Sequence, residues 1–384
     1  MTNKIIKFGI IGCGLMGREF ASSIGRWCHL TDSKAKPEII AICDKNETLY
    51  PWYTDNFSSI TQCTDDYHDL LSNPDIEAIY CAVPHNLHKD IYIDIINAGK
   101  HLLGEKPFGI DMEANNAILQ AASKNPEVII RSSSEFPYYP AVQNIYQQLQ
   151  NDDFGDIIEV EAGFLHSSDM DPNKTINWKR MIEFNGEYGC MGDLGLHVFH
   201  LPLRLGWKPT SVFAQLSNLI PTRDNGKGEQ VPCETWDNST LHCNVDVNGK
   251  SFPLTGKMFR MAPGETDTWY INILGTKKSV RYSTKQPKTL WTMNYEPGKP
   301  QCWQYEDLGY AGLFPCITGH IFEFGFTDSI LQMWASFVDE LAGGDANGFP
   351  CASLQETNQS HSIFTAALKS QKNNSVESIN YETV

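Results

Sequence analysis

The chain is poor in several features, and each shortage closes off a class of function. Among its 384 residues no apolar run approaches the roughly 20 residues of a membrane-spanning helix. Cationic side chains are few: 30 Lys and Arg stand against 46 Asp and Glu, a formal net charge of −16. A nucleic-acid partner needs a clustered basic surface, so none is expected. The 11 cysteines are odd in number and form no C-x-x-C pair, which leaves neither a disulfide scaffold nor a zinc ribbon. They read as buried thiols of a reducing compartment, and a cytoplasmic address is expected. Lys4 and Lys7 precede an apolar stretch, as in a signal peptide. That stretch runs straight into a glycine-rich turn and lacks a small-residue cleavage site. No internal repeat or low-complexity linker breaks the chain.

What is present begins at the N-terminus. The Ile-rich run Ile5–Ile11 has the length of a buried parallel strand. Gly12, Gly14 and Gly17 follow in a G-x-G-x-x-G turn, with Leu15 and Met16 opening a helix. Such glycines permit a tight turn, close approach to a pyrophosphate and close helix packing, and unpaired N–H groups at the helix start attract phosphate. Similar turns also occur in α/β proteins that hold no nucleotide. Asp44 tips the balance, because it ends the next apolar run, Ile39–Cys43, where a carboxylate can take ribose hydroxyls and repel a 2′-phosphate. Its distance from Gly17 exceeds the usual ~20 residues, and the surplus fits a lengthened helix and loop around Trp27–Pro37. Lys45 beside it would soften the preference, and Asp44 could instead cap a helix. NAD is favoured over NADP.

Strand and helix signals alternate through the first third. Apolar runs recur at 78–83, 101–103 and 128–130, with helical patterns over 87–98 and 111–124. This predicts a doubly wound parallel sheet, a Rossmann dinucleotide-binding domain over residues 1–132. From 133 to 384 a substrate-binding α/β domain is expected. A helix over 141–150 leads to strands at 157–165, 211–219, 239–247, 269–274 and 279–282, with Asn248-Gly249 as a hairpin turn. No crossover helices separate these strands, so the second sheet should be large, open and mostly antiparallel. Helices over 327–341 and 354–372 follow, and the last is expected to pack back on the first domain.

Chemistry-bearing residues cluster in two motifs. Glu105-Lys106-Pro107 follows a strand, where α/β sites form. The Lys106 amine could donate to a substrate hydroxyl and stabilise a developing alkoxide, although most lysines simply sit on a surface. Proline restricts the Lys106 backbone to extended geometry. Later, Gly192-Asp193-Leu194-Gly195-Leu196-His197 places Asp193 and His197 four apart on one helical face. His197 is a candidate general base, with Asp193 orienting either the sugar or the imidazole. On its own this pair reads better as an N-cap aspartate and a core histidine. Pro84, His85 and His88 follow the third strand and are candidates for the nicotinamide side. Trp178 and Lys179 are candidates for substrate hydroxyls. His197 and His200 lie three apart but lack the carboxylates or thiols of a zinc site, so no metal is expected.

In this order and combination the motifs resemble the glucose–fructose oxidoreductase / inositol dehydrogenase / rhizopine-catabolism (Gfo/Idh/MocA) family over nearly the whole chain. The resemblance implies a Rossmann domain followed by an open-sheet α/β domain. It also implies that Lys106, Asp193 and His197 bind and deprotonate a substrate hydroxyl, and that the open sheet forms a homodimer or homotetramer. Two departures bear on the substrate: His200 stands where many relatives carry aspartate, and Pro84-His85-Asn86 replaces a commoner Thr-Pro-Asn. The expected activity is NAD(P)-dependent oxidation of a secondary hydroxyl of a sugar, glycoside or cyclitol. An NAD-dependent glycosidase working by transient C3 oxidation and elimination is the alternative, and an inactive sugar- or NAD-sensing regulator is a third reading.

Overall fold

In the computed structural model, which describes residues 4–381, the first apolar runs build a six-stranded parallel sheet. Its strands are β1 (Lys4–Ile11), β2 (Ala35–Cys43), β3 (Gln62–Thr64), β4 (Ala78–Cys81), β5 (His101–Gly104) and β6 (Ile130–Ser132), in the order β3-β2-β1-β4-β5-β6. The order reverses between β1 and β4, which opens a crevice at the C-terminal ends of those strands. Residues such as Ile10, Ile42, Ala78 and Tyr80 are fully buried, as expected for strands covered on both faces.

Two boundaries differ from the expectation. The surplus between Gly17 and Asp44 holds only a short 3-10 turn at Trp27–His29, and β2 starts early, at Ala35, with Pro37 inside it. The last strand lies two residues later than the apolar run suggests. β3 was not foreseen: its polar, half-buried Gln62-Cys63-Thr64 carries no apolar signal.

The second sheet has nine strands. At its middle, Ile157–Leu165 pairs in parallel with Lys250–Phe259 and antiparallel with Thr268–Gly275, and the other neighbours are antiparallel. Asn248 and Gly249 close a two-residue hairpin between Val247 and Lys250 with φ of 53° and 78°, the left-handed pair that a type I′ turn requires. Helices Pro140–Gln150, Cys190–Arg204 and Leu354–Asn373 pack on one face, burying Val142, Val198 and Phe364 against Leu254 and Ile271.

The two units are not consecutive stretches of chain. Helix Phe326–Leu341 leaves the second sheet behind and packs Ile330, Trp334, Phe337 and Val338 against Phe8, Phe20 and Tyr80 of the Rossmann unit. Leu354–Asn373 bridges both units, and its Asn358 amide donates to Asn115 Oδ1 at 3.1 Å. No helix among the described residues is long and apolar enough to cross a membrane.

Candidate active site

The glycine turn after β1 is built from close approaches. Gly12 has φ +95°, and a Cβ there would lie 2.3 Å from the Ala82 carbonyl oxygen. At Gly17 a Cβ would meet the Gly12 oxygen at 2.2 Å. A Cβ at Gly14, by contrast, would point into open space. Helix Leu15–Gly25 starts there with no side-chain cap, so its first N–H groups stay available for an anion. Asp44 Oδ2 accepts the Cys13 N–H at 2.7 Å and Oδ1 accepts that of Asn46 at 2.8 Å. Each carboxylate oxygen keeps a lone pair for a further donor. Lys45 is exposed and lies 3.8 Å from Asp65.

The same turn opens on a cleft of about 680 Å³ between the units, lined by Leu15, Met16, Pro84 and His85 on one side. Glu105 and Lys106 enter from the turn after β5, where the Lys106–Pro107 peptide is cis. Tyr80 donates to Glu105 Oε1 at 2.7 Å, and Tyr92 to the Glu105 carbonyl at 2.7 Å, which anchors the turn on two buried rings.

Asp193 lies on the first turn of helix Cys190–Arg204, three residues in from its start. Gly195 allows this helix its neighbour: a Cβ there would fall 2.2 Å from the Phe364 ring. Three cations converge on the buried Asp193 carboxylate. Lys106 Nζ is 3.1 Å from Oδ1 and also donates to the Asp193 carbonyl at 2.7 Å. Lys179 Nζ lies 3.0 and 3.1 Å from the two oxygens, and Arg260 makes a short bond to Oδ2. Arg260 is itself held by Asp169 at 3.3 Å.

Burial opposes the Asp193 charge, but Arg260, Lys106 and Lys179 outweigh it and hold the carboxyl well below its usual range. Burial likewise opposes the Lys106 ammonium, and the Asp193 and Glu105 carboxylates overcome it, so its pKa is raised. For Lys179 burial prevails and lowers it to about 8.

His197 lies one turn further along the same helix, between the edges of Phe136 and Phe164. Burial, reinforced by the Lys106 charge, drives its pKa well below the ordinary histidine value. The carboxyl beside it is not Asp193. Glu135 Oε2, from the segment after β6, lies 3.5 Å from His197 Nδ1. The expectation that Asp193 orients the imidazole is therefore corrected: its oxygens are taken by three cations.

Two other expectations change. His88 does not reach the cleft; its ring nitrogens lie 2.7 and 2.9 Å from the Pro107 and Val83 carbonyl oxygens, bracing the turn from behind. His200 faces away as well, with Nε2 3.0 Å from Arg204, so its departure from aspartate does not alter the cleft wall. His85 does line the cleft, edge-on to the Trp178 ring at 4.8 Å between centroids. Glu135, His166, Asp267 and Arg260 escaped sequence reading. They come from distant segments with no spacing signal, and only the topology brings them together.

Comparisons with known proteins identify the family. The description of an oxidoreductase family with an NAD-binding Rossmann fold matches residues 6–132, and that of the Gfo/Idh/MocA C-terminal domain matches residues 142–281. Levoglucosan dehydrogenase of Pseudarthrobacter phenanthrenivorans is 26% identical over 57% of this chain and 55% of its own length. Glucose-6-phosphate 3-dehydrogenase of Bacillus subtilis is 23% identical over 73% of this chain and 75% of its own. The chain thus spans little more than half the length of the first of these relatives. A solved structure of levoglucosan dehydrogenase in complex with NADH superposes with a TM-score of 0.88 at 22% identity, covering 99% of this chain and 100% of that one. With both of its units matched, the chain belongs to the Gfo/Idh/MocA family of oxidoreductases.

Proposed function

We propose that the chain oxidises a secondary hydroxyl of an unphosphorylated sugar, glycoside or cyclitol, with NAD as the acceptor. One observation carries the reading: an ammonium and a neutral imidazole face one cleft whose mouth is a glycine turn with room for a pyrophosphate. The residues fit the cofactor. Gly14 leaves the cradle open, the start of helix Leu15–Gly25 has unpaired donors, and Asp44 retains acceptors for ribose hydroxyls. When bound, the nicotinamide supplies the hydride acceptor for the carbinol carbon.

The chain's own groups do the rest. Lys106 stays protonated against Asp193 and donates to the reacting hydroxyl oxygen, stabilising alkoxide character as it develops. His197 is neutral at pH 7 and so free to take the hydroxyl proton. Asp193 fixes the direction of both lysines. Trp178 and Lys179 face the remaining ring hydroxyls. Both lysines lining the cleft lie on Asp193, which leaves no free cation pair for a phosphate and favours a neutral sugar.

The outer face of the nine-stranded sheet carries two hollows of about 700 and 710 Å³ beside exposed Trp291. This supports a homo-oligomer formed through that face, and the free thiols suit the cytoplasm. The test of the activity is absorbance of reduced nicotinamide while NAD is offered with sugars, anhydrosugars, methyl glycosides and inositols. Net reduced cofactor is expected with at least one class. Aglycone release without it would move the chain to redox-neutral glycoside cleavage. Tight NADH binding with neither signal would replace catalysis by sensing.

A further inference from the structure

The Glu135 carboxyl has no assigned role in the reading above, yet its placement is specific. It follows the buried serines 132–134 at the end of β6, and its side chain is only 10% exposed. Among the described residues the single ion-pair partner within 4 Å is His197 Nδ1, at 3.5 Å. That nitrogen is buried and has no hydrogen-bond partner. A buried polar nitrogen left without a partner costs about 1–3 kcal/mol, and this carboxyl, 3.5 Å away, is an acceptor within a small adjustment of reach. Asp193, the other carboxylate of the helix, is held by Arg260, Lys106 and Lys179.

We propose that Glu135 is the positioning residue and proton relay of His197, receiving the Nδ1 proton as Nε2 takes the one released by the substrate hydroxyl. This rests on the oxidoreductase reading. The step balances: the substrate O–H bond breaks and Nε2–H forms, Nδ1–H breaks and a carboxyl O–H forms, and the hydride leaves for the nicotinamide. No net charge is left on the imidazole beside the Lys106 ammonium, which opposes an imidazolium there.

The competent form is Glu135 ionised and His197 neutral. Burial raises the Glu135 carboxyl to about 8, with Glu105 and Asp267 adding to the rise and Lys106 opposing it. The charged groups acting on the pair are thus Glu105, Lys106, Asp193, Lys179 and Asp267, with His200 adding its influence from the far side of the helix. Oxidation should accelerate as pH rises towards about 8. Lys179, which loses its charge in the same range, would give a falling limb.

The test is Glu135→Gln, which keeps size and an acceptor but cannot take a proton. Two readouts are used. In oxidation, kcat should fall at least ~10-fold with KM for NAD unchanged, and the rising limb near pH 8 should disappear; Glu135→Asp should restore part of both. In the protein labelled with ¹⁵N-histidine and loaded with NADH, the His197 ring signal should shift near pH 8 and lose that step in Glu135→Gln. If the rising limb and the His197 step both persist in Glu135→Gln, there is no relay, whatever happens to kcat. The histidine titration reads the contact even if no sugar proves to be a substrate, so failure of the relay and failure of the oxidoreductase reading remain distinguishable.

Discussion

Lys106 and Gly14 show how much of the proposed chemistry depends on single atoms. The Lys106 ammonium lies 3.1 Å from Asp193 and lines the cleft. Lys106→Ala should lower turnover by ~10²-fold or more, the usual scale for a polar group acting in the transition state. Affinity for NADH, followed by fluorescence titration, should stay close to that of the parent. Equal losses in both would remove Lys106 from the chemical step. The two glycines separate fold from cofactor in a similar way. A Cβ at Gly14 has nothing of the protein within 4 Å, and a valine there would fill the cradle, so Gly14→Val should keep its melting temperature and lose NADH binding. An alanine at Gly17 lies 2.2 Å from a backbone oxygen, so Gly17→Ala should lower the melting temperature as well.

Among the elements, helix Cys190–Arg204 presents both Asp193 and His197, and its stability depends on the charges it gathers. Removing the Asp193 charge leaves Lys106, Lys179 and the 2%-exposed Arg260 facing one another. Asp193→Asn should therefore cost stability as well as rate, by about 3–5 kcal/mol, the scale for an orphaned buried charge. Denaturant unfolding would read it directly, and an unchanged midpoint would mean that Asp169 suffices to hold Arg260.

At this scale the sequence was also most legible. β1, the glycine turn, the helix from Leu15, the Asp111 cap and the Asn248-Gly249 hairpin all have local causes in apolar period or turn chemistry. β3 had none, being short and polar. The Glu135–His197 pairing was hidden for a different reason. Those residues lie 62 positions apart, and only the packing of a domain-linking segment against a later helix brings them within reach. Asp193 looked like the partner of His197 because both share a helical face, but shared faces do not predict contact when three cations compete for the carboxylate.

Over the whole molecule, the Arg204–Glu356 ion pair is one of those that join distant segments. Arg204, at the end of the site helix, makes hydrogen bonds of 2.5 and 2.9 Å to Glu356 and donates to the Pro350 carbonyl at 3.0 Å. Burial opposes the Glu356 charge, but the Arg204 contact wins and lowers its pKa to about 2. Because the folded value is depressed, the stabilisation is complete above the ordinary glutamate range, near 4.5. It is lost as pH falls from there through about 2. Its full size is about 3 kcal/mol. Glu356→Gln should be less stable than the parent at pH 7, with the gap closing towards pH 2–3 in denaturant titrations. A gap independent of pH would assign the loss to helix capping by Glu356 and not to its charge.

The return of helix Phe326–Leu341 to the first unit sets the order of assembly. During synthesis the six strands of the cofactor unit emerge first, but the cover for Phe8, Phe20 and Tyr80 is made last, some two hundred residues later. Until then the nascent chain holds an apolar wall open to water, the kind of surface that chaperones and aggregation compete for. A segment cut after residue 132 would keep that wall bare permanently. The nucleotide-binding half is therefore finished by the distal part of the chain, and a frameshift far from any glycine of the turn would deprive the cell of both halves at once.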